Sequence, residues 1–100
     1  MIHFRTYQLA KALYQNIENL GLKGERRDQL DRACFSVVLN LAEGSGRKGK
    51  DRLRFFSIAM GSLKEAQANL DVLDHRDLWN QSNIVGAHLY KLMKNPGPGI

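Results

Sequence analysis

The chain has one cysteine, two prolines and one tryptophan in 100 residues, and these shortages exclude several architectures. A lone cysteine, Cys34, cannot close an internal disulfide, and its place in an apolar stripe reads as a small buried core residue. No apolar run approaches the ~20 residues that span a bilayer, and Met1 is not followed by an apolar block of the signal-peptide kind. A soluble, cytoplasmic chain with no membrane partner is expected. No stretch alternates apolar and polar residues as a half-buried strand would. Histidine is scarce as well: His3, His75 and His88 are scattered, without cysteine or carboxylate at metal-ligand spacing, and fit core, cap or surface roles. No metal and no cofactor are expected. Ser36, Ser45 and Ser62 lack a histidine–acid arrangement that would activate them, so a non-enzymatic protein is expected.

What the chain does have is apolar content for one core, 43% of residues. This predicts a single domain over 1–95, followed by a disordered tail over 96–100, where Pro96-Gly97-Pro98-Gly99 ends regular structure. A domain this short buries roughly 60–70% of its unfolded surface, so association between copies is a natural source of extra stability. The net charge of +5 and pI near 9.7 favour anionic partners.

Apolar residues recur every three to four positions in four segments. The first, about 4–20, carries Leu13, Ile17 and Leu20 and ends at Gly21-Leu22-Lys23-Gly24. The second, about 25–43, carries Leu30, Ala33, Cys34, Val37 and Leu41 on one face, with Phe35 and Leu39 nearly opposite. The third, about 50–77, carries Phe56, Ala59, Met60, Leu63, Ala66 and Leu70; Gly61 inside it implies close packing against another backbone, or a bend. A turn is expected over 78–82, with Asn80 or Ser82 as a cap, and a fourth helix over about 83–94. Short connections between four helices give an all-α, antiparallel up-down bundle. The outward apolar residues Phe35, Leu39, Ile58 and Val72 are the expected oligomer interface.

The stretch between the second and third helices concentrates five cations, Arg47, Lys48, Lys50, Arg52 and Arg54, against Asp51. By letters, Gly44-Ser45-Gly46-Arg47-Lys48-Gly49 satisfies a dinucleotide fingerprint, and 44–50 satisfies most of a phosphate-loop pattern. Both need a strand entering the glycines, and here a helix enters. The phosphate loop also needs Ser or Thr after its lysine, and Asp51 stands there instead. Nucleotide binding of this kind is therefore set aside. The same cations remain candidates for sequence-independent contact with nucleic-acid phosphates, with Arg26 and Arg27 as auxiliaries. Asn40, Glu43, Arg47, Ser62 and Glu65 are the expected members of a polar network pinning the second helix to the third.

The run from Gln29 to Ala33, then from Ser36 to Arg47, then from Arg54 to Glu65, resembles the four-helix-bundle proteins encoded within intervening sequences of bacterial 23S ribosomal RNA genes. Their pattern is like S-I-P-x-N-I-A-E-G-x-x-R followed by R-F-x-x-I-A-x-G-S-x-x-E. Val38 departs from it, standing where the family usually has proline, and the first helix lacks the family's frequent tryptophan. The resemblance implies an antiparallel four-helix protomer in a cyclic homo-oligomer, with a pentamer favoured. The chain is also similar to the accessory variability proteins of diversity-generating retroelements, whose basic assemblies engage nucleic acid. These likenesses make a homo-oligomeric nucleic-acid-binding protein the leading expectation, with RNA favoured over DNA. The alternative is a protein-interaction scaffold without nucleic-acid contact.

Overall fold

The computed structural model describes residues 4–95; His3 and the tail expected to be disordered, 96–100, lie outside the described residues. Four helices follow in order: α1 Arg5–Glu18, α2 Gly24–Ser45, α3 Gly49–Val72 and α4 Arg76–Lys94. No strand occurs among the described residues, so the chain is all-α. None of its helices is long and apolar enough to cross a membrane. The 24 residues of α3 extend about 36 Å at 1.5 Å per residue, which accounts for most of the molecule's 39 Å long dimension.

Each helix packs on its neighbours in sequence, and α1 also packs on α4. The core is the merged apolar stripes, including Leu13 and Ile17 from α1, Leu30, Val37 and Leu41 from α2, Phe56, Leu63 and Leu70 from α3, and Val85 and Leu89 from α4. Cys34 is part of it, at 1% exposure. Burial, helped by the charge of Asp31, pushes its thiol pKa up to about 12. Among the described residues, no buried side-chain nitrogen or oxygen lacks a hydrogen-bond partner.

Side chains cross-link the seams between helices. Tyr14 Oη donates to Asp31 Oδ1 at 2.9 Å between α1 and α2. Partial burial and then this carboxylate push the Tyr14 hydroxyl up to about 12. Hydrogen bonding between Glu18 and Asp31 raises the pKa of Glu18 and lowers that of Asp31. Ser36 Oγ and Ser62 Oγ meet at 2.8 Å between α2 and α3. Asn16 Nδ2 donates to Gln81 Oε1 at 3.0 Å between α1 and α4.

The boundary between the last two helices differs from the sequence expectation. The third helix ends at Val72 and the fourth begins at Arg76, so Leu78, Asn80 and Ser82 are helical and neither Asn80 nor Ser82 is a cap. Asp74 takes the left-handed conformation, φ 56°, and is followed by two closing bonds, Asp74 N–H to Asp71 O at 2.9 Å and His75 N–H to Leu70 O at 3.0 Å. This is the two-bond helix ending that glycine usually supplies. His75 then caps α4 by accepting from the Leu78 N–H through Nδ1 at 3.4 Å.

Gly44 and Gly61 also depart from expectation. Gly44 does not break α2 but lies buried within its last turn, where a Cβ would come within 2.6 Å of the Phe56 ring. The aromatic ring fills the space that a larger residue would need. Gly61 is the reverse: it is exposed and nothing lies within 4 Å of where its Cβ would be, so no close packing within the protomer explains it.

Candidate nucleic-acid interface

The turn between α2 and α3 is three residues long, Gly46 to Lys48, and Gly49 opens α3 with φ 55°. That left-handed step opens α3, which packs against α2. Five cations result from this geometry, but they do not form one cationic surface.

Arg52 leaves the candidate set. It is only 6% exposed, and its guanidinium donates through Nε to Gly44 O and through a terminal nitrogen to Ser45 O, both at 3.1 Å. The last carbonyls of a helix have no partner of their own, so a cation from the next helix closes α2. Arg52 is held by these carbonyls and is not available to a ligand.

Arg47 and Arg54 are exposed but charge-balanced. Arg47 pairs with Glu43 at 3.0 Å and with Asp51 at 3.2 Å, and Arg54 pairs with Asp51 at 3.1 Å. Two cations thus face two carboxylates. Both guanidiniums also lie over the Phe55 ring, Arg47 at 5.2 Å and Arg54 at 4.6 Å from its centroid. Such exposed contacts are each worth about 0.5–1 kcal/mol. Lys48 and Lys50 remain: both are exposed on either side of Gly49 and neither has an ion pair among the described residues.

Arg26 and Arg27 are not brought to this turn. They lie in the first turn of α2, about 30 Å along the helix from Arg47 at 1.5 Å per residue. Arg27 is tied to Glu18 at 3.1 Å. Arg26 instead borders an open groove of about 580 Å³ with Gln29, Arg32, Glu65 and Asn69.

The expected polar network divides into two. Its central part is Ser36, Asn40 and Ser62: Asn40 Nδ2 donates to Ser36 O at 2.8 Å and to Ser36 Oγ at 3.1 Å, and Ser36 meets Ser62. Glu43 and Arg47 belong to the charged cluster at the turn. Glu65 joins neither; its side chain has no hydrogen bond or ion pair among the described residues, and only its carbonyl is engaged, by Asn69 Nδ2 at 3.0 Å. Ser36 and Asp51 are the members the sequence reading missed. Ser36 stands at helical i,i+4 spacing from Asn40, and that spacing is the signal that finds it; Asp51 meets Arg47 across the turn, where no helical spacing applies.

Phe35, Leu39, Ile58 and Val72 are all exposed, Val72 at 73%. Phe35 leans on the Tyr14 ring with centroids 5.3 Å apart. Ile84 and Tyr90 are further exposed apolar or aromatic residues that the sequence reading did not single out.

No group of metal-ligating side chains occurs among the described residues, and the glycines are entered from a helix, not from a strand. The fold and the turn therefore define a four-helix domain with a lysine-flanked glycine at its α2–α3 turn, distinct from any strand-fed phosphate loop. The family model for the 23S rRNA-intervening sequence protein matches residues 2–94. The chain belongs to that family, as the motif runs over 29–65 led one to expect. Comparison with curated proteins finds no match, and comparison with solved structures finds none.

Proposed function

We propose that this protein is a non-enzymatic, homo-oligomeric nucleic-acid-binding protein that contacts phosphates through the α2–α3 turn. One observation carries the reading: Lys48 and Lys50 flank the left-handed Gly49 on an exposed turn, with no carboxylate paired to either among the described residues. Lysine on such a turn meets phosphate oxygens as a point charge, and the small glycine lets backbone amides approach as well. The family's name refers to an intervening sequence of 23S rRNA, which favours RNA over DNA.

The helices are inferred to run alternately up and down. Support comes from contacts between residues that stand well back from each turn on either side: Tyr14 with Asp31 around the first, Ser36 with Ser62 around the second, and Leu63 against Gly86 around the third. In that arrangement the start of α1, the α2–α3 turn and the end of α4 share one end of the molecule. Assembly is proposed through the outer faces of α2 and α3, where Phe35, Leu39, Ile58 and Val72 are uncovered. Gly61, exposed on α3 one turn from Ile58, fits the same face, since a partner's backbone can approach it closely. A pentamer is the favoured closed ring.

A second reading, a protein-interaction scaffold, is favoured by the charge balance of Arg47 and Arg54, which leaves two unpaired lysines at each turn. Binding of a labelled RNA measured across ~50 to ~200 mM salt separates the two. The first reading expects steep weakening with salt and a slope reduced by about one for each lysine removed in Lys48→Glu and Lys50→Glu. Absence of binding even at the lowest salt leaves the scaffold. Light scattering on the same samples tests assembly, and a monomer would remove the interface.

A further inference from the structure

Tyr90 stands out among the exposed aromatic groups because no role in the core accounts for it. It is 54% exposed on α4, and Lys94 lies over its ring with Nζ 5.2 Å from the centroid. Lys91 and Lys94, both exposed, make the last turn of α4 basic. Core residues Val85 and Leu89 mark the inward face of α4, and Tyr90 follows Leu89 by about 100° of helix rotation. Gly86, on the same side of the helix as Tyr90, faces Leu63 of α3: a Cβ at Gly86 would meet Leu63 Cδ2 at 3.3 Å. Tyr90 therefore lies along the flank of α4 nearest α3.

Its level along the molecule follows from the α3–α4 turn. Leu63 and Gly86 stand opposite each other on either side of residues 73–75. Continuing along α4 by one and two turns moves back along α3, to the level of about residue 59 for Tyr90 and about residue 55 for Lys94, which sets Tyr90 about 14 Å along α3 from Lys50 at 1.5 Å per residue. The end of α4 and the first half of α3 thus carry a solvent-exposed aromatic ring, with Lys94 over it, and four lysines in the same half of the molecule, while Arg47 and Arg54 are already matched by carboxylates. Phosphate-binding lysines beside an exposed ring are the combination that holds unpaired nucleotides: the charges follow the backbone and a base stacks on the ring. A duplex keeps its bases stacked inside and has nothing to place on Tyr90.

We propose that Tyr90, with Lys91 and Lys94, forms a stacking subsite for an unpaired nucleotide on the same strand whose phosphates Lys48 and Lys50 hold further along, so that the ligand is single-stranded RNA rather than duplex. The proposal rests on the nucleic-acid reading above and adds the form of nucleic acid and the residue that selects it. Lys94 changes partner on binding, from the ring to the phosphate beside the stacked base.

The test is fluorescence anisotropy with a labelled oligouridine of about a dozen nucleotides and a labelled RNA duplex of equal length. Wild type, Tyr90→Ala, Tyr90→Phe and the double variant Lys48→Glu, Lys50→Glu are compared, with helicity checked by circular dichroism and mass by light scattering. The expected result is a preference of wild type for the single strand, a loss of roughly 5- to 100-fold for that probe in Tyr90→Ala, and retention in Tyr90→Phe. The salt slope stays unchanged in both Tyr90 variants, because no charge is removed. If Tyr90→Ala leaves single-strand binding intact while the lysine variant loses it, the subsite is wrong and the phosphate-binding turn stands. Failure of wild type to bind either probe overturns both. An equal loss on both probes, or a change of mass in Tyr90→Ala, also refutes the subsite, the latter by assigning Tyr90 to a contact between copies.

Discussion

Arg52 and Lys50 are two residues apart, yet burial assigns them opposite parts. Arg52 is locked onto the carbonyls of Gly44 and Ser45, whereas Lys50 extends into solvent. Removing the guanidinium leaves Ser45 O without its donor and Gly44 O with only the Arg47 N–H, so Arg52→Ala is expected to destabilise the fold by about 1–3 kcal/mol. A urea midpoint that falls with unchanged slope checks this; an unchanged midpoint would return Arg52 to the surface. Some of this was legible in the sequence. Glu43 and Asp51 stand four residues to either side of Arg47, which puts acids close by in the chain, but Arg47 lies in the turn, so its pairing depends on how the turn folds. The part taken by Arg52 was not legible, because it depends on where the end of α2 lies against the first turn of α3. Asp74 is similar: aspartate tolerates the left-handed conformation better than most residues, but nothing local distinguishes it from Asp71 or Asp77.

Among the elements, periodicity located all four helices because each buries one continuous stripe, and it failed where the stripe continues across a break. Leu70 and Leu73 carry the expected third helix on to about residue 77, and Leu78 falls in the expected turn, although the break lies at 73–75, around Asp74, and Leu78 belongs to α4. Gly44 and Gly61, both inside helices, give opposite expectations from one substitution. Gly44→Ala drives a methyl group into the fully buried Phe56 ring and is expected to destabilise by about 1–3 kcal/mol in spite of better helix propensity. Gly61→Ala meets open space and should stabilise the protomer by about 1 kcal/mol. Thermal melts of both variants decide; a lower melting temperature in Gly61→Ala, together with reduced mass, would mean that another chain covers this face. At the α1–α2 seam, the Tyr14 hydroxyl has a folded pKa of about 12 against an ordinary 10. Its contribution is therefore complete below pH 10 and lost as the pH rises toward about 12. Urea midpoints on either side of that window should fall more for wild type than for Tyr14→Phe.

For the molecule as a whole, the all-helical fold and the family could be read from the chain, since long periodic segments and the motif runs over 29–65 are properties of sequence order. The site was read too generously. Counting five cations treated charge as a property of composition, whereas folding paired two of them and buried a third. Only long-range packing makes that division. The sole thiol offers a direct view of the whole structure's integrity. Cys34 sits at 1% exposure with its ionisation held back to about 12, so an alkylating reagent reaches it only in moments when α2 lifts off the core. The labelling rate, set against that of the urea-unfolded chain, is then a stopwatch for spontaneous opening that requires no mutation. Modification at the unfolded rate would contradict the burial. RNA that grips only the closed form should slow the stopwatch by the factor one plus its concentration over its Kd.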